Sequence, residues 1–223
     1  MSSHLSEQIN EIRASIPDKV RLIAVSKKVP VDIMRLAYAA GIRDFGESRI
    51  QEASDKMAQM QELTDINWHL IGHLQTNKAK KALELFQWIH SVDSLKLAEK
   101  LNHLAQEHSI CPPICLQVKI LPDPDKSGWH VSELLADLPR LNQYPCLNIQ
   151  GLMTIPPFGL DDSAILDVFN RTHDLAQTIQ RQAWPNIQMN QLSMGMSGDY
   201  QLAVNAGATM VRLGTILFGN RIE

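Results

Sequence analysis

Lys27 is the first residue whose type and position suggest chemistry. It follows Ala24-Val25-Ser26 at the end of a short apolar run. A lysine there keeps its stem among apolar neighbours and brings its amine to a rim. Desolvation and nearby cations lower a lysine pKa, leaving free amine that attacks a carbonyl and forms a Schiff base. Adjacent Lys28 reads as a solvated loop residue. Near the other end of the chain, Ser193-Met194-Gly195-Met196-Ser197-Gly198-Asp199 is small and glycine-rich and precedes a short helix through Val204 to Asn205. Backbone N–H groups at such a turn bind phosphate. Ser197 is expected to cap the helix and to donate to a phosphate. Arg212, followed by Gly214 and Thr215, forms a second small, donor-rich turn. The alternative for both turns is glycine required by backbone conformation alone.

These groups meet only if the chain folds to bring strand ends together. Short runs rich in β-branched and apolar residues recur at 20–26, 42–46, 66–72, 87–92, 114–120, 147–154, 190–194 and 209–213. Several are apolar on consecutive residues, as strands covered on both faces are. Amphipathic stretches separate most of them. Pro30 and Gly41 bracket Ile33, Leu36, Ala37 and Ala40, and another stretch runs from Ser48 to Leu63. Asp93 or Ser94 can cap a helix carrying Leu97, Leu101, Leu104 and Ala105. Asp161 and Asp162 open the longest, with Ile165, Val168, Phe169, Thr172, Leu175, Ala176 and Ile179 at helical spacing. Leu5, Ile9, Ile12 and Ile16 predict an extra helix before the first strand. Eight β-then-α units of about 28 residues predict a single α/β domain over residues 1–223, a (β/α)8 barrel of the TIM type. An open doubly wound sheet is the rival; no G-x-G-x-x-G follows the first strand.

A barrel places reactive groups where strands end, with phosphate sites frequently after strands seven and eight. Two phosphate-competent turns facing a strand-one lysine suit pyridoxal phosphate, which needs an aldehyde partner, a phosphate cradle and a group at its pyridine nitrogen. The composition narrows the field. Hydrophobic residues make up 44% and charged residues 20% of 223, which excludes wholesale disorder. A formal charge of −3 argues against a general nucleic-acid binder. Three cysteines form no paired framework, no secretory h-region opens the chain, and no apolar run approaches the roughly 18 residues a bilayer needs. A cytoplasmic protein without membrane contact is expected.

Other groups have plainer readings beside functional ones. His69 and His73, four apart on an extended strand, lack a third ligand at suitable spacing, so hydrogen-bonded barrel histidines are expected rather than a metal site. Cys111 and Cys115 read as packing residues. Lys78, Lys80 and Lys81 read as the solvated face at a helix start. Met194 and Met196 could contact a flat ring or fill core gaps. Glu47 could be a general base or an ion-pair partner for a lysine in the mouth.

Ordered motifs carry a resemblance. They are Ala24-Val25-Ser26-Lys27, Phe45-Gly46-Glu47 with Gln51-Glu52, Trp68-His69-Leu70-Ile71-Gly72-His73-Leu74-Gln75-Thr76-Asn77-Lys78, and His90-Ser91-Val92-Asp93. Ser127-Gly128 after Lys126, Gly151-Leu152-Met153-Thr154, Leu192 to Ser197, Val211 to Thr215 and Phe218 to Arg221 follow. In that order, covering most of the span from Val20 to Arg221, the chain resembles the pyridoxal phosphate homeostasis proteins. The resemblance implies a barrel like the N-terminal domain of alanine racemase, without that enzyme's second domain. It implies pyridoxal phosphate held on Lys27 as an internal aldimine, phosphate contacts from Ser197, Gly214 and Thr215, and Arg212 at the pyridine nitrogen. A cation there weakens the ring as an electron sink. Met194, Gly198 and Ser48 join the expected cofactor-binding set, and Lys126 matches a second family lysine implicated in cofactor handling, on a loop read as mobile. Ser48, and Lys119 in the fifth strand, stand where the family commonly has Asn.

The expected function is to carry or buffer the cofactor, with effects on amino-acid and keto-acid balance, rather than to catalyse a defined reaction. Pyridoxal phosphate-dependent apoenzymes are the expected partners, and a monomer or weak dimer the expected state. A racemase-like enzyme working as a bare barrel is the principal rival. A lysine-dependent aldolase and a regulatory interaction protein are the others.

Overall fold

The computed structural model describes residues 2–219. Among the described residues there are nine strands: β1 (Arg21–Val25), β2 (Asp44–Glu47), β3 (Asn67–Leu70), β4 (Trp88–Val92), β5 (Pro113–Lys119), β6 (Trp129–His130), β7 (Asn148–Met153), β8 (Ile187–Ser193) and β9 (Met210–Leu213). Every pairing is parallel, and β4 joins β5 to close the ring β1-β2-β3-β4-β5-β7-β8-β9 back onto β1. The two-residue β6 pairs only with β5 and lies outside the ring. The eight barrel strands are those expected, with ends shifted by a few residues.

Parallel neighbours cannot be joined by tight turns, so helical crossovers link them. The helices are α1 (Ser2–Ala14), α2 (Val31–Ala39), α3 (Ile50–Gln59), α4 (Ala79–Leu85), α5 (Leu95–Glu107), α6 (Val131–Leu141), α7 (Asp162–Arg181), α8 (Tyr200–Asn205) and α9 (Thr215–Phe218). Ser94 and Asp161 cap α5 and α7 through their side chains. The apolar stripe of α7 is buried at each named position from Val168 to Ile179, while Ile165 in its first turn is half-buried. The extra helix is α1, which buries Leu5, Ile9 and Ile12, with Ile16 buried just beyond its end. Neither α6 nor β6 was anticipated. No helix among the described residues is long and apolar enough to cross a membrane.

Strand alternation sorts side chains between two compartments. Leu22, Ala24, Leu116, Leu152, Val211 and Leu213 belong to the main core that includes the helices. Ile23, Cys115, Met153 and Met210 form a separate small cluster. Their parity places the small cluster inside the ring, and Arg212, two residues beyond Met210, faces the same interior. Burial in that cluster pushes the Cys115 thiol up to about 12.

One interior position tolerates no side chain. Gly151 on β7 pairs with Gln191 on β8, and a Cβ there would lie 1.7 Å from the Gln191 carbonyl oxygen. Both partners are barrel backbone, so neither can step aside. Gly151→Ala should therefore destabilise the protein by at least about 2 kcal/mol, read as a lower urea midpoint in equilibrium unfolding.

Candidate functional site

At the C-terminal end of the barrel, Lys27, Ser48, Ser197, Arg212, Gly214 and Thr215 line one cavity of about 400 Å³. Gly198 and Met196 line it too, with Val25 and Ile71 as apolar wall. Seven of the nine residues read from the sequence as cofactor-binding thus converge: Lys27, Ser48, Ser197, Gly198, Arg212, Gly214 and Thr215. Met194 does not. It follows the inward-facing Ser193, so alternation turns it outward into the main core, where it is fully buried. Lys126 lines a neighbouring cavity of about 500 Å³, which shares Ile155, Met196 and Gly198 with the first.

Lys27 sits half-buried in a turn directly after β1. The Val29 N–H donates to the Ser26 carbonyl across 2.9 Å and closes the turn, and Lys28 adopts a φ of +60°. That left-handed value is uncommon outside glycine and needs support from the surroundings. The support comes from α3 and β2. Lys56 Nζ donates to the Ser26 carbonyl, to Glu47 Oε1 at 2.8 Å and to Glu52 Oε1 at 2.7 Å, while the Lys28 N–H donates to Glu52. Ser26 Oγ donates to Glu47 Oε1 at 2.7 Å. Glu47 is 0% exposed and Lys56 7%. Burial pushes the Glu47 carboxyl up, and the bonds from Lys56 and Ser26 oppose it. Glu47 is therefore an ion-pair partner, but for a lysine on α3's inner face rather than one in the mouth. Its Oε2 is buried without a hydrogen-bond partner.

Ser197 departs from its expected role as helix cap. Asp199 is the residue before α8, and its Oδ1 accepts from the Met196 N–H. Ser197 Oγ instead accepts from the N–H groups of Gly214 and Ile216 at 3.2 and 3.3 Å. The two glycine-rich turns are thus tied to each other. Gly195 has the conformational need, with φ +93° and a Cβ position 2.6 Å from Ala203; beside Gly198 a Cβ would meet nothing within 4 Å. Ser48 packs against Gly72, where a Cβ would fall 2.3 Å from the Ser48 carbonyl oxygen.

Arg212 is 4% exposed and forms the cavity floor. Its Nη1 donates to Ser193 Oγ at 2.8 Å and its Nη2 to the Thr154 carbonyl at 3.0 Å. Burial lowers its pKa to about 10, so it stays cationic near neutrality. Beneath it, Ser193 Oγ meets His90 Nδ1 at 2.7 Å, His90 Nε2 meets His69 Nδ1 at 2.9 Å, and His69 Nε2 meets Asp44 Oδ1 at 2.9 Å. His73 lies elsewhere. It is exposed, 2.8 Å from Asp93, and does not share a site with His69. Lys78 and Lys81 are exposed beside Arg49 in a separate concavity. Cys111 is exposed rather than packed. The loop carrying Lys126 is cross-tied: Lys126 pairs with Asp123, the Asp125 N–H donates to Asp123 Oδ1 at 2.9 Å, and Gln117 Nε2 donates to the Ser127 carbonyl at 2.9 Å. Lys119 Nζ donates to the Asp123 carbonyl at 3.4 Å.

Sequence reasoning missed Lys56 and the histidine relay. For Lys56 a signal existed, the i,i+4 spacing from Glu52. The relay joins residues of separate strands and leaves no local spacing.

A closed parallel barrel with a rim lysine opposite two small donor turns defines the class. The alanine racemase N-terminal domain family matches residues 2–221. Alanine racemase of Clostridium difficile superposes with a TM-score of 0.77 at 13% identity, covering 98% of this chain and 57% of the enzyme, a likeness of fold alone. Within that class the chain belongs to the pyridoxal phosphate homeostasis protein family. It is 51% identical over 213 residues to a member from Synechocystis, covering 96% of this chain and 97% of the relative. It is 37% identical over 211 residues to a member from Escherichia coli, covering 92% and 87%. The solved structure of PipY from Synechococcus elongatus with pyridoxal phosphate bound superposes with a TM-score of 0.92 at 48% identity, covering 96% of this chain and all of that one.

Removing the Lys56 ammonium leaves a carboxylate desolvated and uncompensated. Lys56→Met should cost about 3–5 kcal/mol in urea unfolding at neutral pH, with Glu47→Gln in the same chain recovering most of it. The histidines give a pH dependence. Burial lowers the pKa of His69 and holds that of His90 well below 6.5. Their contribution to stability is present above pH 6.5 and is lost as pH falls from there through the folded values, because the unfolded chain takes up protons that the fold refuses. The slope should reach up to about 1.4 kcal/mol per pH unit for each imidazole, read as the pH dependence of the urea midpoint between pH 8 and pH 5.

Proposed function

We propose that this chain binds pyridoxal phosphate in the Lys27 cavity and carries or buffers it without catalytic turnover of its own. The observation that carries the reading is the convergence of an amine, a buried cation and a pair of N–H-bearing turns on one space of about 400 Å³, within the ordinary range for small-molecule sites. The donor set suits the cofactor. Lys27 is the amine for its aldehyde, Arg212 the cation at its ring nitrogen, and Ser197 and Thr215, with the turn at Gly214, the cradle for its phosphate. When bound, the cofactor supplies an electrophilic carbonyl and a conjugated ring. Arg212 disfavours a proton on the ring nitrogen, and Ser197, whose Oγ accepts from the Gly214 and Ile216 N–H groups, keeps its hydroxyl proton for the phosphate. Val25 and Ile71 give the ring an apolar wall.

The absence of turnover is supported by the cavity's inventory. Among the described residues that line it, the titratable side chains are those of Lys27 and Arg212. A racemase or decarboxylase needs a second acid–base group on the opposite face. The family name fits a homeostatic role, and the ligand-bound PipY supports binding of the cofactor. Lys126, which lines the adjoining cavity, is the residue we assign to meeting the cofactor on entry or exit, and pyridoxal phosphate-dependent apoenzymes are the proposed recipients.

Titration with pyridoxal phosphate, followed by absorbance, tests this. Lys27→Ala should lose the band of the lysine-bound form yet retain weaker binding through the phosphate turns. Arg212→Ala should weaken binding and keep the band. Steady turnover of D- or L-alanine or serine that vanishes in Lys27→Ala would establish an enzyme and sink the carrier reading. A Lys27→Ala variant indistinguishable from the parent would sink the site.

A further inference from the structure

The bonds beneath Arg212 run in one direction only. A guanidinium has five donors and no acceptor, and a carboxylate accepts only. Arg212 Nη1 therefore donates to Ser193 Oγ, and the single hydroxyl proton of Ser193 goes to His90 Nδ1. His90 must then carry its own proton on Nε2 and give it to His69 Nδ1. His69 in turn carries its proton on Nε2 and gives it to Asp44 Oδ1. Each neutral imidazole has one donor and one acceptor, and this arrangement uses both on both rings. The reverse polarity is closed at Asp44, whose carboxylate only accepts: a neutral His69 must keep its proton on Nε2 and accept at Nδ1, which fixes His90 and then Ser193 in turn. An imidazolium at His90 would leave the Ser193 proton without an acceptor, beside a cation and out of water.

The path crosses the barrel. It begins on β9, passes through β8 to β4, strands that are not neighbours in the ring, and ends on β2 by way of β3. His69 is held by a stacked Trp88 ring, 6.1 Å between centroids and 13° between planes. At the far end, Asp44 is the first residue of β2 and also faces Arg21 at 3.8 Å. A desolvated cation at the cavity floor is thereby joined to an anion at the opposite end of the barrel through four hydrogen bonds.

We propose that Ser193, His90, His69 and Asp44 are positioning residues that lock the Arg212 guanidinium in the orientation it presents to the ligand's ring nitrogen. The proposal rests on the reading of the cavity as a pyridoxal phosphate site. Neutral histidines and a fixed serine proton leave Arg212 one position, so cofactor affinity and ring electronics depend on residues that do not touch the cavity.

Two measurements test it. In the protein without cofactor, nitrogen-15 NMR of the imidazoles should find His69 and His90 neutral with the proton on Nε2 at pH 7. A proton on Nδ1 of either ring overturns the relay. In the loaded protein, Ser193→Ala should bind pyridoxal phosphate on the order of tenfold more weakly and shift the absorbance band of the bound cofactor, with Ser193→Thr restoring both. A merely structural serine would lower the melting temperature and leave affinity and band unchanged, and that result also overturns the proposal. A parent protein that takes up no pyridoxal phosphate would remove the site reading itself. Normal uptake by both parent and Ser193→Ala would remove the relay alone.

Discussion

A guanidinium inside a closed barrel must have acceptors fixed around it, because taking a charge out of water costs several kcal/mol unless it is paired and hydrogen-bonded. Arg212 meets that demand with the Thr154 carbonyl and the Ser193 hydroxyl, and the demand propagates. Ser193 needs His90, His90 needs His69, and His69 ends on Asp44. One side of the barrel interior is polar for this reason, while Ile23, Cys115, Met153 and Met210 keep the remainder apolar.

The rim is built on a similar demand. Lys27 stands in a turn whose next residue has a left-handed backbone, and that turn is fastened by Lys56, Glu47 and Glu52. A buried ion pair is weak ground for stability but an effective clamp when each of its ammonium donors is used. The cavity between floor and rim thus has a cation below, an amine at one edge and paired N–H turns at the other. That asymmetry is what suits an elongated ligand with an aldehyde, a basic ring nitrogen and a phosphate.

Much of this was legible. Consecutive apolar residues marked strands covered on both faces, and Pro30, Gly41, Ser94 and Asp161 marked helix ends. That Lys27 and Arg212 reach one cavity was readable because a strand end and a strand's inward face are local properties. Met194 was misplaced although the same alternation, counted from Ser193, turns it outward. The cap expected of Ser197 went unformed because Asp199 stands nearer the helix and because Ser197's partners lie on the following strand's turn. Helix α6 was hidden by Pro139 in its last turn. The relay was out of reach, since His90 and Ser193 are 103 residues apart and meet only when the ring closes.

The central claim concerns one nitrogen atom. Protein incubated with pyridoxal phosphate, reduced with borohydride and digested should yield a single pyridoxyl-modified peptide, with the added mass on Lys27. Modification fixed on Lys126 or Lys28 instead, or none at all after saturation, would contradict it.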